Sequence, residues 1–361
     1  MDKVTVQDRA TNQELLLDCI DHDTFRSHWE KNSVYELTFD CVDTGSLSFG
    51  LLGADNYIRY GGQTYVIKMM TDTSTGYHRR ISITARHIFF ELNQRMQPKT
   101  KKGDVNFTLD QALSFLFDTV GDGYTYKLHG NFNSNKKLTD FGNTDIVSGL
   151  SMLANEFNVY CVYPDNKTVG VYTEAAWIKK TNKSIQYLHN AENMKLDWET
   201  ENIVNQVYVI STDDKPKFKP FYVRDNESIK RWGIKEKDRL EVGKDGKESA
   251  EKQAKRKLVT QPSVSIDVEL TSGVNDVYPG EEWTVVNSQQ MLSTPVQIVS
   301  IEKAPLVSDA IKITLNNKRR NFLDSDKARK RELIELKKET QNTQNNIPNI
   351  WVDGFVKREK K

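Results

Sequence analysis

The chain has 361 residues, of which 37% are hydrophobic, 10% aromatic and 28% charged, with a formal net charge of +1. That length allows two to four domains, and the aromatic content excludes a largely disordered chain. Near-balanced charge leaves no basic excess for gripping nucleic acid through its phosphates, and no apolar run approaches the roughly 20 residues of a membrane span.

The N-terminal stretch MDKVTVQDRATNQ is polar and has no apolar core of a secretory signal, so the chain is expected to fold in the cytoplasm of its producer. Asp21-His22-Asp23 lies in a polar turn before the helix-like DTFRSHWEK, which Asp23 is placed to cap. Residues 1–95 read as β. Tyr35, Leu37 and Phe39 alternate on one face. YIRY, then Gly61-Gly62, then QTYVIKM predicts a hairpin whose turn tolerates positive φ. Ile81 to Ala85 is a further short strand leading into TARHIFFEL, Thr84 to Leu92, where His87 stands beside a dense apolar run. Short strands with turn signals predict a first small β-barrel over 1–95.

Residues 96–195 are expected to form an α/β insert. KTKKGDVN reads as a polar loop. Thr108 caps a helix, with Gln111 placed for the reciprocal capping-box bond. A second helix starts near Asp145, with Ile146, Leu150, Leu153 and Phe157 on one stripe. A hairpin follows, from Asn158 to Tyr172. Residues 196–262 read as a return strand (Ile203 to Ile210), a charged lobe and a basic helix from Glu248 to Val259 that Pro262 closes. Residues 263–322 are expected to form a second β-barrel from four strands, starting at Ser263, Glu282, Pro295 and Ala310. The plan of YIRYGGQTYVIKM returns loosely in WTVVNSQQMLSTPVQIVSI, a weak sign of duplication. Residues 323–361 read as a C-terminal linker helix and tail, whose seam of Leu333, Leu336, Thr340, Thr343 and Ile347 makes a poor coiled coil.

Candidate chemistry is sparse. The three cysteines, Cys19, Cys41 and Cys161, lack CxxC spacing and read as small buried hydrophobes. Asp21, His22, Asp23 and His28 suggest a metal cluster but lack the HxH or HxxxH spacing of a rigid site. His78 reads as a solvated loop residue, and His129 and His189 as isolated turn residues. GxSxG, HExxH, GxxxxGK[ST] and a strand-linked GxGxxG are all missing. No catalytic, cofactor-binding or metal residue is therefore assigned, and no cofactor is expected.

The order of several segments resembles the tail hub proteins of bacterial viruses, the tail-associated lysin or prophage endopeptidase tail family. They are KNSVYELTF from Lys31, TARHIFFEL, TLDQALSFL from Thr108, Phe141-Gly142-Asn143, NIVNQVY from Asn202, VYPGEEW from Val277 and IKITLNN from Ile311. The resemblance spans about residues 1–325. It implies a homotrimeric hub at the tip of the virion tail, assembled in the host bacterial cytoplasm. Each chain would give two barrels, so that three chains match the six-fold ring of a distal tail protein. It further implies contact with the tape-measure protein, transient passage of double-stranded DNA and an approach to the host cell wall. About 40 residues follow Asn321, too few for a catalytic domain, so the endopeptidase activity of longer relatives is not carried over. His87 is then expected to be a partly buried structural residue that donates a hydrogen bond. The fold class expected is α+β, two barrels flanking an α/β insert. The function expected is a structural, non-enzymatic hub. The alternatives are a peptidoglycan endopeptidase and a carbohydrate-binding adhesin using exposed Trp177, Trp232 and Trp351.

Overall fold

The computed structural model describes residues 3–316, apart from 77, 214–215, 238, 244–245, 272–275, 288–291 and 308–310. The described residues divide into two compact units, one of residues 3–179 and 302–307, the other of 180–301 and 311–316.

The first unit opens with β1 (Thr5–Gln7), β2 (Glu14–Leu16), β3 (Arg26–Glu30) and β4 (Val34–Val42), then a one-turn helix α1 (Leu47–Gly50). The strands β5 (Tyr57–Tyr60), β6 (Gln63–Thr75) and β7 (His78–His87) follow. They lie side by side in the order β3-β4-β7-β6-β5-β1-β2, with antiparallel neighbours. The β5–β6 hairpin turns on Gly61 (φ 58°) and Gly62 (φ 74°). Two successive positive φ values are what a two-residue type I′ loop demands. Alternate residues of β4, namely Leu37, Phe39 and Cys41, enter a core with Phe25, Ile58, Ile67 and Ile83. DTFRSHWEK is not a helix. Its first residues make a short 3₁₀ turn (His22–Thr24), and the rest is β3, because Ser27, Trp29 and their neighbours find ladder partners in β4.

The insert follows a 3₁₀ turn over Ile88–Gln94. It comprises β8 (Met96–Phe107), α2 (Leu109–Phe117), β9 (Thr125–His129), β10 (Lys136–Asp145), α3 (Ile146–Glu156), β11 (Cys161–Asp165), β12 (Thr168–Tyr172) and the single turn α4 (Glu174–Trp177). KTKKGDVN is strand rather than loop. It belongs to β8, which forms a two-stranded antiparallel ribbon with β10. Nearly every residue of it is exposed, so no alternation betrays the strand. In the sheet β11-β12-β9, β12 runs parallel to β9. The capping box is present: Thr108 accepts from the Gln111 backbone, and the Gln111 side chain accepts from the Thr108 backbone. Leu109, Ala112, Leu113 and Leu116 of α2 pack with Ile146, Leu150 and Leu153 of α3. Thr108→Ala removes a cap worth about 1 kcal/mol. A denaturant titration of the variant should show a lower midpoint with an unchanged slope.

The second unit contains β13 (Lys179–Gln186), β14 (Ala191–Glu199), β15 (Gln206–Ser211), β16 (Phe221–Arg224), α5 (Asn226–Trp232), β17 (Leu240–Val242) and α6 (Lys247–Lys257). It ends with β18 (Ser263–Leu270), β19 (Glu281–Asn287), β20 (Leu292–Lys303) and β21 (Ile311–Asn316). Its main sheet runs β14-β18-β21-β20-β19-β13. Ile266, Val268, Trp283, Val285, Ile298 and Ile313 are buried. A separate lobe with the sheet β16-β15-β17 packs against α6 through Ala250 and Ala254.

The expected α+β protein with two closed barrels is overturned. Of the described residues 51% are in strands and 19% in helices, and the sheets do not close into barrels. Closure demands strands long enough to tilt and stagger round a ring. β1 and β2 have three residues each, and residues 17–21 meet β4 only at an isolated bridge between Ile20 and Cys41. Likewise β13 and β14 are consecutive but meet only at a bridge from Tyr187 to Ala191. The C-terminal linker helix expected over 323–361 lies outside the described residues.

The two open sheets nevertheless share a thread. Leaving β2 aside, the first unit's six strands in chain order are β1, β3, β4, β5, β6 and β7. Those of the second are β13, β14, β18, β19, β20 and β21. In both, the spatial order is second, third, sixth, fifth, fourth, first.

Candidate functional site

TARHIFFEL sits where the first sheet hands the chain to the insert. β7 places His87 at its last position, and the imidazole is fully buried. Its Nδ1 accepts the Phe89 backbone N–H at 3.2 Å, capping the following 3₁₀ turn. The hydrogen therefore resides on Nε2, which donates to Gln63 Oε1 at 3.0 Å. The ring stacks on Tyr35 with centroids 4.5 Å apart and meets Tyr65 edge-on at 5.6 Å. Burial without a countercharge in contact pushes the His87 pKa down to about 3. The histidine is thus a sealed, neutral strut, buried more deeply than the sequence suggested.

Gln63 extends the strut into a clasp. Its Oε1 also accepts the Asn166 backbone N–H at 2.9 Å, and its Nε2 donates to Asp165 at 2.9 Å. Asn166, at φ 50°, returns two bonds: its Oδ1 accepts Thr64 N–H and its Nδ2 donates to the Gly62 carbonyl. The β5–β6 turn and the β11–β12 turn are thereby locked together across about 100 residues of sequence. A second clasp lies at the β3–β4 turn. Asn32 accepts the Val162 N–H at 2.8 Å and donates to the Tyr160 carbonyl. Beside it, buried Lys31 places Nζ 3.3 Å from the centroid of Tyr160. Such a desolvated ammonium over a ring face is a strong cation–π pair. Further along TARHIFFEL, Glu91 accepts from Arg9 Nη1 and Nη2, at 2.8 and 3.3 Å.

In the second unit, VYPGEEW forms a comparable knot. Buried Glu281 accepts Lys183 Nζ at 3.0 Å, Trp283 Nε1 at 3.0 Å and the Tyr278 N–H. Lys183 also lies over the rings of Tyr278 and Trp283.

The remaining sequence candidates are dispersed. Asp21 pairs with Arg80, His22 and Asp23 lie in the 3₁₀ turn, and His28 is in β3. Among the described residues, no three His, Cys, Asp or Glu side chains converge on a common point for a metal. His129 is not an isolated turn residue. It lies in β9 and stacks on Tyr172 at 4.1 Å, with burial lowering its pKa. Cys19, Cys41 and Cys161 are all buried and free. Trp177, expected on the surface, is buried and packs against Trp29 and Tyr163. Trp232 is half-buried, and Trp351 lies outside the described residues. Sequence reasoning missed Gln63, Asn166 and Asn32. Asn166 and Asn32 do stand in turn-like contexts with positive φ, a signal that marks a turn without naming its partner. The arrangement can hold elements in fixed register. His87 has no solvent access through which to exchange a proton with a substrate.

Comparison with known proteins places these observations. The model of the prophage endopeptidase tail N-terminal domain matches residues 4–87, and that of the prophage endopeptidase tail matches residues 179–326. Comparison with curated proteins gives no match. Among solved structures, the prophage tail protein gp18 from Listeria monocytogenes EGD-e is 22% identical with a TM-score of 0.71, covering 90% of this chain and 97% of that one. A tail protein from Neisseria meningitidis MC58 is 13% identical (TM-score 0.60; 90% and 99% covered). The 43 kDa tail protein of prophage MuSo2 from Shewanella oneidensis is 12% identical (TM-score 0.59; 87% and 98% covered). At these identities the structures speak for the fold alone, whereas the two family models together span more than half of the sequence: the chain belongs to the prophage endopeptidase tail family.

Proposed function

We propose that this chain is a non-enzymatic structural subunit of a phage tail tip, three copies of which form a hub ring that closes the tail tube and opens for DNA. The observation that carries this reading is the strand order common to the two open sheets. A chain that repeats one thread lets a threefold assembly offer six related sheets, which is what docking onto a six-fold ring requires. The partners are then the chain itself, a distal tail protein ring, the tape-measure protein, passing duplex DNA and the host cell wall. Near-neutral net charge suits a conduit, since many phosphate contacts would retard the duplex. The clasps of Gln63, Asn166 and Asn32 suit a part that bears load, because they fix turns by several directional bonds each.

Light scattering and negative-stain imaging test the assembly. The expected particle is a ring of about 125 kDa, three times the chain's 41.6 kDa. A monomer at micromolar concentration, or a ring of any other order, defeats the hub reading. A clear band on a cell-wall zymogram from this chain would defeat the non-enzymatic part.

A further inference from the structure

The margin of the first sheet holds a pair of thiols that the tail role does not use. Residues 17–21 lie between β2 and β3 and are tied down by few backbone bonds: Leu17 N–H to Val4, Val42 N–H to Cys19 and Asp21 N–H to Asp40. The last two flank the Ile20–Cys41 bridge, which makes it a non-hydrogen-bonded antiparallel pair. Cys19 directly precedes one partner of that bridge and Cys41 is the other, so the two cysteines are neighbours in space. Both side chains enter the same core. The Cys41 thiol donates to the Cys19 sulfur, and Ser48 Oγ lies 3.9 Å from Cys19. That donation lowers the Cys19 pKa and raises that of Cys41, so Cys19 is the better nucleophile. Cys161 is buried elsewhere, in β11.

We propose that Cys19 and Cys41 are a covalent modification site, joined by a peroxide-class oxidant into an intrachain disulfide that staples residues 17–21 to β4. The Cys19 thiolate attacks one peroxide oxygen. The O–O bond breaks, hydroxide leaves and takes a proton to become water, and Cys19 becomes a sulfenic acid. The Cys41 sulfur then attacks the Cys19 sulfur, expelling a second hydroxide that takes up the Cys41 proton. Two thiols and one hydrogen peroxide give one disulfide and two waters. The two sulfurs lose two electrons together, and the peroxide gains them. Hydrogen peroxide is small enough to enter when the segment between β2 and β3 opens locally. In a tail component that is assembled among reducing thiols and then leaves the cell, the reaction falls after release. That timing rests on the function proposed above, but the cross-link itself does not.

The experiment uses the full, reduced chain. It is treated under native conditions with dilute hydrogen peroxide, alkylated, and mapped by mass spectrometry without reduction. Trypsin cuts after Arg26 and Lys31, so the two cysteines fall in separate peptides. The expected result is one linked pair of peptides carrying Cys19 and Cys41, reversed by dithiothreitol, with Cys161 still alkylated. The melting temperature should rise by several degrees on oxidation, and Cys161→Ala should behave the same way. Three alkylatable thiols after treatment, links through Cys161, links between chains, or sulfinic acid at Cys19 without a link would each overturn the proposal. The ring mass is read separately, so failure here and failure of the hub reading are distinguishable.

Discussion

Gly142→Ala should cost about 3 kcal/mol or more, lowering the melting temperature of the first unit by about 6–12 °C. β10 bends at this point. Asp140, Gly142 and Asn143 all have positive φ, and the register with β8 slips on either side. At φ 126° an L residue is strained whatever the space, and here there is none, since a Cβ would overlap the Lys99 carbonyl across the ribbon. The bend sends Phe141 into the core against Phe107 and Phe115. It also lets Asp140 accept the Gly103 N–H at 2.7 Å. Calorimetry should show the loss, with far-UV dichroism at low temperature unchanged. A variant that melts with the parent would refute this account of Phe141-Gly142-Asn143.

Acidification from pH 6.5 should destabilise the protein through His87 well before the carboxylates titrate. In the unfolded chain the imidazole takes up a proton near pH 6.5, whereas in the folded chain burial holds it neutral down to about pH 3. Between these values the unfolded state binds the extra proton, so stability is full above pH 6.5 and falls as pH falls. Each pH unit is worth about 1.4 kcal/mol, so the total is on the order of 3–5 kcal/mol by pH 3. Carboxylates add their share mainly below about pH 4, leaving pH 4.5–6.5 as the diagnostic window. His87→Phe keeps a ring against Tyr35 but has nothing to protonate. It should start less stable at neutral pH, because Gln63 loses its donor, and its stability should then be nearly flat across the window. Urea melts at half-unit pH steps measure both slopes, and equal slopes would remove His87 as the cause. His129, half-buried and lowered by burial, contributes with the same sign.

The elements that the sequence made readable are those fixed by near neighbours. Thr108 and Gln111 announced a helix start because the capping box is closed within four residues. Asp145 did the same for α3, and strict alternation from Ser263 to Leu270 marked β18. KTKKGDVN was misread because a ribbon with both faces in solvent carries no period of two. DTFRSHWEK was misread because only β4 decides its conformation. The site was legible in one respect: a histidine ending a strand beside an apolar run belongs to a core. Its partners were not legible, since Gln63 and Asn166 stand over 100 residues apart and only the folded chain joins them. The shared strand order was hidden for a related reason. Pairing is set by hydrophobic faces and turn lengths, which tolerate replacement of almost every residue.

The lobe of β15–β17, α5 and α6 interrupts the link between β14 and β18, which is the link made in the first sheet by the three-residue turn of β3 and β4. It enters and leaves through one neck, where Val204 and Val259 exchange both backbone bonds. Glu199 and Ser263 already face each other across the ladder. Such a port can be excised or refilled with foreign sequence while the flanking strands keep their register, so it marks the place on this scaffold where evolution, or an engineer, can change cargo without redrawing the frame.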